Sequence, residues 1–101
     1  MNISFESPYY NFITYENIKT IDVYDKFINW VRGEFDLFQM DELDGLKVYY
    51  PNGWFYIELL TESDLDLIIA IKIKSKTLDS WLKTEAQIQI IFNHLIQIIQ
   101  K

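Results

Sequence analysis

DGLKVYYPNGWFYIELLTESDLDLIIAIKI, the stretch from residue 44 to residue 73, decides the fold. Its first run, residues 46–50, is rich in β-branched and aromatic side chains, which favour pleated, half-buried strands. Pro51 then fixes φ, while Asn52 and Gly53 tolerate positive φ, which is typical of a hairpin turn. A return strand over residues 54–60 and a very apolar strand over residues 65–73 follow. The stretch therefore predicts an antiparallel hairpin, a short acidic loop and a third strand.

The N-terminal residues 1–17 form an aromatic arm in which apolar and polar side chains alternate at the start. We expect one or two short strands broken at Pro8, because proline cannot donate to a strand ladder. The arm would pair with an edge of the sheet or with a partner, and composition leaves both readings open.

Helical spacing replaces the strand pattern between Thr20 and Arg32. Apolar side chains at this spacing predict one buried stripe, which consists of Ile21, Tyr24, Phe27, Ile28 and Val31. Thr20 or Asp22 can cap the start of the helix, and Gly33 predicts its C-terminal end.

The C-terminal segment is helical as well. Thr77 or Asp79 can cap a short helical turn that reaches residue 82, and a final helix is expected from about Thr84 to the end. Ile90 and Ile98 make the apolar stripe of that helix broader than a surface helix needs. We therefore expect deep packing across the sheet or an added interface, with a homodimer favoured over a monomer.

The order of these segments is arm, helix, three strands and helix. This order is typical of an α+β domain with an antiparallel sheet covered by helices on one face. A length of 101 residues fits one domain, residues 1–101, with residues 18–101 as its main part.

Composition and charge exclude several classes of protein. Half of the residues are hydrophobic, which is enough for a real core. The net charge of −6 argues against nucleic acid, which needs a clustered basic surface, and it suits a basic partner. Cysteine is absent, so disulfides and thiol catalysis are excluded. Because no signal peptide and no apolar run of roughly 20 residues is visible, we expect a cytoplasmic protein without membrane contact.

Three short motifs follow one another along the second half of the chain. They are Asp44-Gly45-Leu46-Lys47-Val48, Gly53-Trp54 and Thr61-Glu62. Together they resemble the C-terminal domain of the phosphohexomutases, the phosphoglucomutase and phosphomannomutase family. The resemblance covers roughly residues 20–100 and implies a TBP-like α+β domain. It also implies a phosphate-binding loop, Arg-Pro-Ser-Gly-Thr-Glu-Pro in the family, after the Gly-Trp hairpin.

The family's phosphate-binding loop maps onto Glu58, Thr61, Glu62 and Ser63, which are the candidate ligand-binding residues. Glu58 stands where the family has its arginine, whereas a phosphate needs a bidentate arginine or a lysine. We therefore expect a degenerate loop with little ability to bind phosphosugars. The chain is also too short for the domains that carry a mutase's phosphoserine and metal-binding aspartates. Mutase (isomerase) activity is not expected from this chain alone, and no catalytic residue, metal or cofactor is predicted.

His94 and a set of carboxylates are further candidates for a site. His94 is the only histidine, and a helix-surface role is favoured over a metal ligand or general base. The carboxylates around the predicted loop lack the glycine-punctuated spacing of a calcium loop, so a solvated acidic loop is favoured; they are Glu58, Glu62, Asp64 and Asp66.

An aromatic group in the hairpin is the remaining candidate. Its members, which could stack on bases or sugars, are Tyr49, Tyr50, Trp54 and Tyr56. Because no basic residue is expected among these aromatic side chains, packing in the core or at an interface is favoured.

These observations lead to two main hypotheses of function. The first is a stand-alone, non-catalytic relative of the phosphohexomutase C-terminal domain that acts as a binding or assembly module. The alternative is a small acidic partner protein, such as an inhibitor, an immunity protein or a chaperone, for a basic target. A loop that completes a mutase site in trans ranks last.

Overall fold

Six strands and two helices make up the part of the chain that the computed structural model describes, residues 2–42, 44–62 and 67–99. In chain order they are β1 (Asn2–Glu6), β2 (Tyr9–Ile18), α1 (Ile21–Glu34), β3 (Gln39–Asp41), β4 (Leu46–Tyr50), β5 (Gly53–Glu62), β6 (Leu67–Ser75) and α2 (Leu78–Ile99). All strand pairs are antiparallel, in the order β1-β2-β6-β5-β4-β3. The predicted α+β class with an antiparallel sheet is confirmed.

The central strands β4, β5 and β6 form the meander that the sequence predicts. The turn at Pro51 and Asn52 does not use the positive φ that Asn52 and Gly53 would tolerate. Asp44 is the only described non-glycine residue with positive φ, and no glycine has one. Gly53 is required by space instead of by φ. It pairs with Ser75, and a Cβ at this position would overlap the Lys74 carbonyl oxygen.

The N-terminal segment is an integral part of the sheet instead of an appended arm. The break at Pro8 is confirmed, since Ser7 and Pro8 lie between β1 and β2. Strand β2 pairs with β6 along its length, from Tyr10 opposite Ser75 to Ile18 opposite Leu67. The edge position falls to β1, so β2 is enclosed by the sheet on both sides.

Helix α1 begins where the sequence predicts and ends slightly later. Thr20 is the N-cap, and its Oγ1 accepts a hydrogen bond of 3.2 Å from the Val23 backbone N–H. Gly33 lies inside the helix, so the predicted stop at this residue is wrong. The helix ends at Glu34, and Phe35 is its C-cap: the Phe35 backbone N–H donates to the Val31 carbonyl, and its side chain is buried.

Helix α2 is one continuous helix, whereas a short turn and a separate final helix were expected. Thr77 caps it, since the Ser80 backbone N–H donates to the Thr77 Oγ1 at 3.1 Å. Trp81 and Thr84 are both buried, so the first turns share a stripe with the rest of the helix. No helix-breaking residue lies between them, which explains the continuity.

The core lies between the two helices and one face of the sheet. Aromatic rings join the layers: Phe12 meets Trp81 edge-on at 4.9 Å, and Phe27 meets Phe92 edge-on at 5.4 Å. Ile90 and Ile98, which widen the stripe of α2, remain 59% and 63% exposed. The broad stripe therefore does not serve deep packing across the sheet.

Candidate functional site

One face of the sheet carries the core, and no described helix covers the other. Alternation along each strand and the strand register place two rows of side chains on this uncovered face. One row is Asp41, Lys47, Tyr56, Lys72 and Ile13, and the next is Gln39, Tyr49, Trp54, Lys74 and Asn11. Each row crosses five strands, so residues far apart in sequence form one continuous surface. We call these ten residues the uncovered face.

Two lysines converge on one indole ring in the middle of the uncovered face. The Lys47 Nζ lies 4.2 Å from the centre of the Trp54 ring and 5.1 Å from the centre of the Tyr49 ring. The Lys74 Nζ lies 5.4 Å from the Trp54 ring centre. Each contact is a cation–π interaction, worth about 0.5–1 kcal/mol when exposed. The indole ring on β5 is therefore close to two cations, one from each neighbouring strand.

The third lysine of the uncovered face has a carboxylate partner. The Lys72 Nζ lies 3.3 Å from a Glu58 carboxylate oxygen, and both side chains are partly exposed. Burial raises the pKa of the Tyr56 hydroxyl, and the neighbouring Glu58 carboxylate raises that pKa further. Lys47 and Lys74, in contrast, have no carboxylate within 4.0 Å among the described residues.

The surface over Lys47 is a shallow depression of about 270 Å³. Asp41, Lys47, Tyr49, Trp54 and Tyr56 line it, so aromatic rings form most of its wall. Because the depression is open, it can receive a side chain or a short chain segment, and it does not enclose a small molecule.

The residues predicted as a degenerate phosphate loop do not form a loop in the part that is described. Glu58, Thr61 and Glu62 all lie within strand β5, which extends two residues beyond its predicted end at residue 60. Ser63 lies outside the described residues. Glu58 points onto the sheet surface and binds Lys72 instead of lining a phosphate cradle. The position that the resemblance gives to an arginine therefore carries one half of an ion pair.

The other candidate residues do not come together as a site either. His94 is exposed on α2, beside Trp30 in a groove between the two helices. No group of three or more metal-binding side chains occurs within residues 2–42, 44–62 and 67–99. Asp64 and Asp66, which were expected in the acidic loop, lie outside those ranges.

The hairpin aromatics have basic neighbours, which the sequence does not predict. Tyr49, Trp54 and Tyr56 do lie together, but three lysines lie among them. Tyr50 faces the core, where its hydroxyl meets Ser75. The missing signal was the register between strands: Lys47, Lys72 and Lys74 have the alternation that places them beside the aromatics once β4, β5 and β6 are paired.

Comparison with known proteins identifies a fold and no function. No protein-family model matches the chain, and no curated protein matches its sequence. The chain is similar to the solved structure of a conserved protein of unknown function, EF2215 from Enterococcus faecalis. The TM-score is 0.67 at 13% sequence identity, over 97% of this chain and 75% of that chain. The likeness supports the α+β fold described above.

Neither described helix is a candidate to cross a membrane, because none combines sufficient length with sufficient apolar character.

Proposed function

We propose that this chain is a non-catalytic binding module that holds a partner protein on its uncovered face. The observation that carries the proposal is the placement of Lys47 and Lys74 over Trp54, on a face of the sheet that no described helix covers. Tryptophan and tyrosine are the residues that most often dominate binding energy at protein interfaces. Here they are presented from adjacent strands, which hold them in a fixed arrangement.

Charge on the uncovered face differs from charge on the helices. The uncovered face carries three lysines and only two nearby carboxylates. One carboxylate is Asp41, within the face, and the other is Glu58, which pairs with Lys72. On the helices the described lysines and arginine are paired with carboxylates: Lys26 with Asp22, Lys83 with Asp79, and Arg32 with Glu42 of the following segment. The uncovered face is therefore the locally cationic part of an acidic protein.

A protein partner fits this face better than a nucleic acid does. Binding to a phosphate backbone is driven by several lysine and arginine contacts to phosphates, roughly six to ten in proteins with a strong salt dependence. The face offers Lys47 and Lys74 without carboxylate partners, and Lys72 is held by Glu58. We therefore still expect that the protein does not bind nucleic acid, because of its net charge and because this face has too few unpaired lysines.

Kinship with the phosphohexomutase C-terminal domain stays part of this proposal. The features that support it are the short motifs of the hairpin and the antiparallel sheet backed by helices. A thermal-shift series with glucose 6-phosphate and mannose 6-phosphate tests the degenerate loop, because a ligand of the native state raises the melting temperature by mass action. We expect no shift with either sugar phosphate. A saturable shift would overturn the claim that Glu58 has replaced a functional arginine.

The alternative, an acidic partner protein for a basic target, would use the helical side. That side carries carboxylates on α1 and the exposed Ile90 and Ile98 of α2. A cytoplasmic location and a homodimer also stay predictions, and sedimentation at several concentrations tests the homodimer.

A peptide-display selection tests the choice of surface. Random peptides are selected on the immobilised wild-type chain and depleted on a Trp54→Ala variant that retains its far-ultraviolet circular dichroism. We expect peptides that bind only the wild type and that shift NMR signals of β4, β5 and β6. Peptides that bind both proteins equally, or that shift only signals of α1 and α2, would contradict the proposal.

A further inference from the structure

We infer that the occupant of the uncovered face is an extended acidic segment of a partner protein, with carboxylates at alternate positions. This inference rests on the proposed binding function and names the chemistry of its ligand. It follows from the distances of Lys47 and Lys74 from the Trp54 ring, and from the absence of a paired carboxylate at these two lysines among the described residues.

The first step concerns which cations are free to bind. Lys72 is paired with Glu58 at 3.3 Å, whereas Lys47 and Lys74 lie over aromatic rings and have no carboxylate within 4.0 Å among the described residues. A cation over an exposed ring is held by about 0.5–1 kcal/mol, so an incoming carboxylate can draw it away at little cost. A hydrogen-bonded lysine–carboxylate pair is stronger when it is partly desolvated. The two lysines are therefore available to an anion.

The second step concerns distance. Both ammonium groups lie within 5.4 Å of one ring centre, so they are at most about 10 Å apart. In an extended chain, side chains at positions i and i+2 point the same way and are roughly 6.6–6.8 Å apart. Two carboxylates at such positions can each reach one lysine. Adjacent carboxylates cannot, because they point to opposite faces of the segment.

The third step concerns what lies under the segment. Once the lysines turn toward carboxylates, the Trp54 ring becomes accessible, with Tyr49 and Tyr56 beside it. Ile13, which is 39% exposed, lies in the same row two strands away from Tyr56. An apolar or aromatic residue two positions before or after the carboxylates points to the same side as they do. It can then lie on the indole ring, which combines apolar burial with the charge pairs.

The net charge of −6 does not oppose such a ligand strongly. The carboxylates of the helices lie on the other side of the sheet, and the Debye length is about 8 Å at physiological ionic strength. A competing carboxylate is Asp41, which is the cross-strand neighbour of Lys47 and lines the same depression. Because Asp41 lies on the edge strand β3, binding of an acidic segment is least favoured at the β3 side of the uncovered face.

Defined peptides test the inference. The probe is the capped peptide Tyr-Ser-Glu-Ser-Glu-Ser-Tyr, in which the tyrosines and the glutamates share one face of the extended chain. Binding is followed by NMR and by tryptophan fluorescence in a Trp30→Phe background, where the core residue Trp81 is the only tryptophan besides Trp54. Three comparison peptides replace both glutamates by glutamine, place the same glutamates next to each other, or replace them by lysine. We expect the probe to bind roughly tenfold more tightly than the glutamine peptide, since the loss of two charge pairs that together contribute about 1.4 kcal/mol corresponds to that factor.

Variants of the protein provide the matched controls. Lys47→Gln and Lys74→Gln should each weaken the probe severalfold, and Lys83→Gln on α2 should not change its affinity. In a Lys47→Glu, Lys74→Glu variant the preference should reverse, so that the lysine peptide binds more tightly than the probe. All of these positions are exposed or half-buried, so the variants are expected to fold.

Equal affinity for the glutamate and glutamine peptides, or no saturation of the probe by about 1 mM, would overturn the inference. Tighter binding of a single-stranded oligothymidylate than of the probe would overturn it as well. The peptide selection separates the two claims. Selected peptides that depend on Trp54 but are neutral or basic leave the binding function standing and remove the acidic ligand.

Discussion

The Tyr50 hydroxyl lies 2.5 Å from the Ser75 Oγ and donates a hydrogen bond of 3.1 Å to the Lys74 carbonyl oxygen. Tyr50 ends strand β4 and Ser75 ends strand β6, so this contact joins two strands that do not pair directly. Ser75 is completely buried. The two hydroxyl groups therefore satisfy each other at the end of the sheet where the hairpin turns.

Removing this hydroxyl should destabilise the protein. We expect Tyr50→Phe to lower the free energy of unfolding by about 1–3 kcal/mol, because it leaves the Ser75 hydroxyl buried without its partner. Urea unfolding measures the change. Ser75→Ala in the Tyr50→Phe background should cost little more, which a double-mutant cycle would detect as coupling. Tyr15→Phe, at a 60% exposed tyrosine, is the control, and an equal loss there would contradict the argument.

Alkaline pH should destabilise the protein through the same residue. Burial raises the pKa of the Tyr50 hydroxyl above its ordinary value of 10.0. Above pH 10 the unfolded chain loses this proton while the folded chain keeps it. The contribution of the protonated Tyr50 hydroxyl to the free energy of unfolding is therefore fully present below about pH 10. It is lost as the pH rises through the folded-state pKa. Unfolding curves measured from pH 8 to pH 11 should fall less steeply for Tyr50→Phe than for the wild type.

Glycine has opposite roles at two positions. We expect Gly53→Ala to destabilise the protein by about 1–3 kcal/mol or more, because the new methyl group meets the Lys74 backbone carbonyl, which cannot move aside. Gly33→Ala is the matched control in α1, where no atom lies within 4 Å of the added Cβ. It should raise the stability by about 0.5–1 kcal/mol. Thermal unfolding of both variants would show shifts of opposite sign; shifts of the same sign would contradict the geometry.

Two tryptophans should respond differently to truncation. Trp81 is 2% exposed and meets Phe12 edge-on, so Trp81→Ala should lower the free energy of unfolding by about 3–5 kcal/mol. Trp54 lies on the uncovered face, and Trp54→Ala should cost about 1 kcal/mol. Chemical denaturation of both variants measures the contrast. A cost at Trp54 as large as that at Trp81 would mean that this ring serves folding more than binding.

Much of the fold follows from local patterns in the sequence. The meander was predictable because strand residues, a proline turn and apolar alternation coincide there. The cap at Thr20 was predictable because a side-chain oxygen precedes a helical stripe. Gly33 misled, since a glycine ends a helix only when the backbone takes positive φ, and here the buried Phe35 determines the end. The short strand β3 has no periodic signal of its own and exists because β4 offers it an edge.

The candidate site was less accessible to sequence reasoning for a physical reason. Tyr49 and Trp54 are neighbours through the hairpin, which a local pattern reveals. Lys74 joins them only through the pairing of β5 with β6, and the residues between those strands contain no turn motif that fixes the register. The resemblance to a phosphate loop drew attention to Glu58, whose partner Lys72 is also set by that pairing.

The position of β2 between β1 and β6 has a consequence for synthesis on the ribosome. Residues 9–18 are made early, but their partner strand, Leu67–Ser75, emerges about 50 residues later. Until then this aromatic strand has only β1 as a neighbour, and its side that faces β6 stays open. The β4-β5-β6 meander, whose contacts are local, can form first and then offer β6 as the template. The growing chain thus has to close the long loop between β2 and β6 late in synthesis. Until then it exposes an unpaired strand edge that is prone to aggregation.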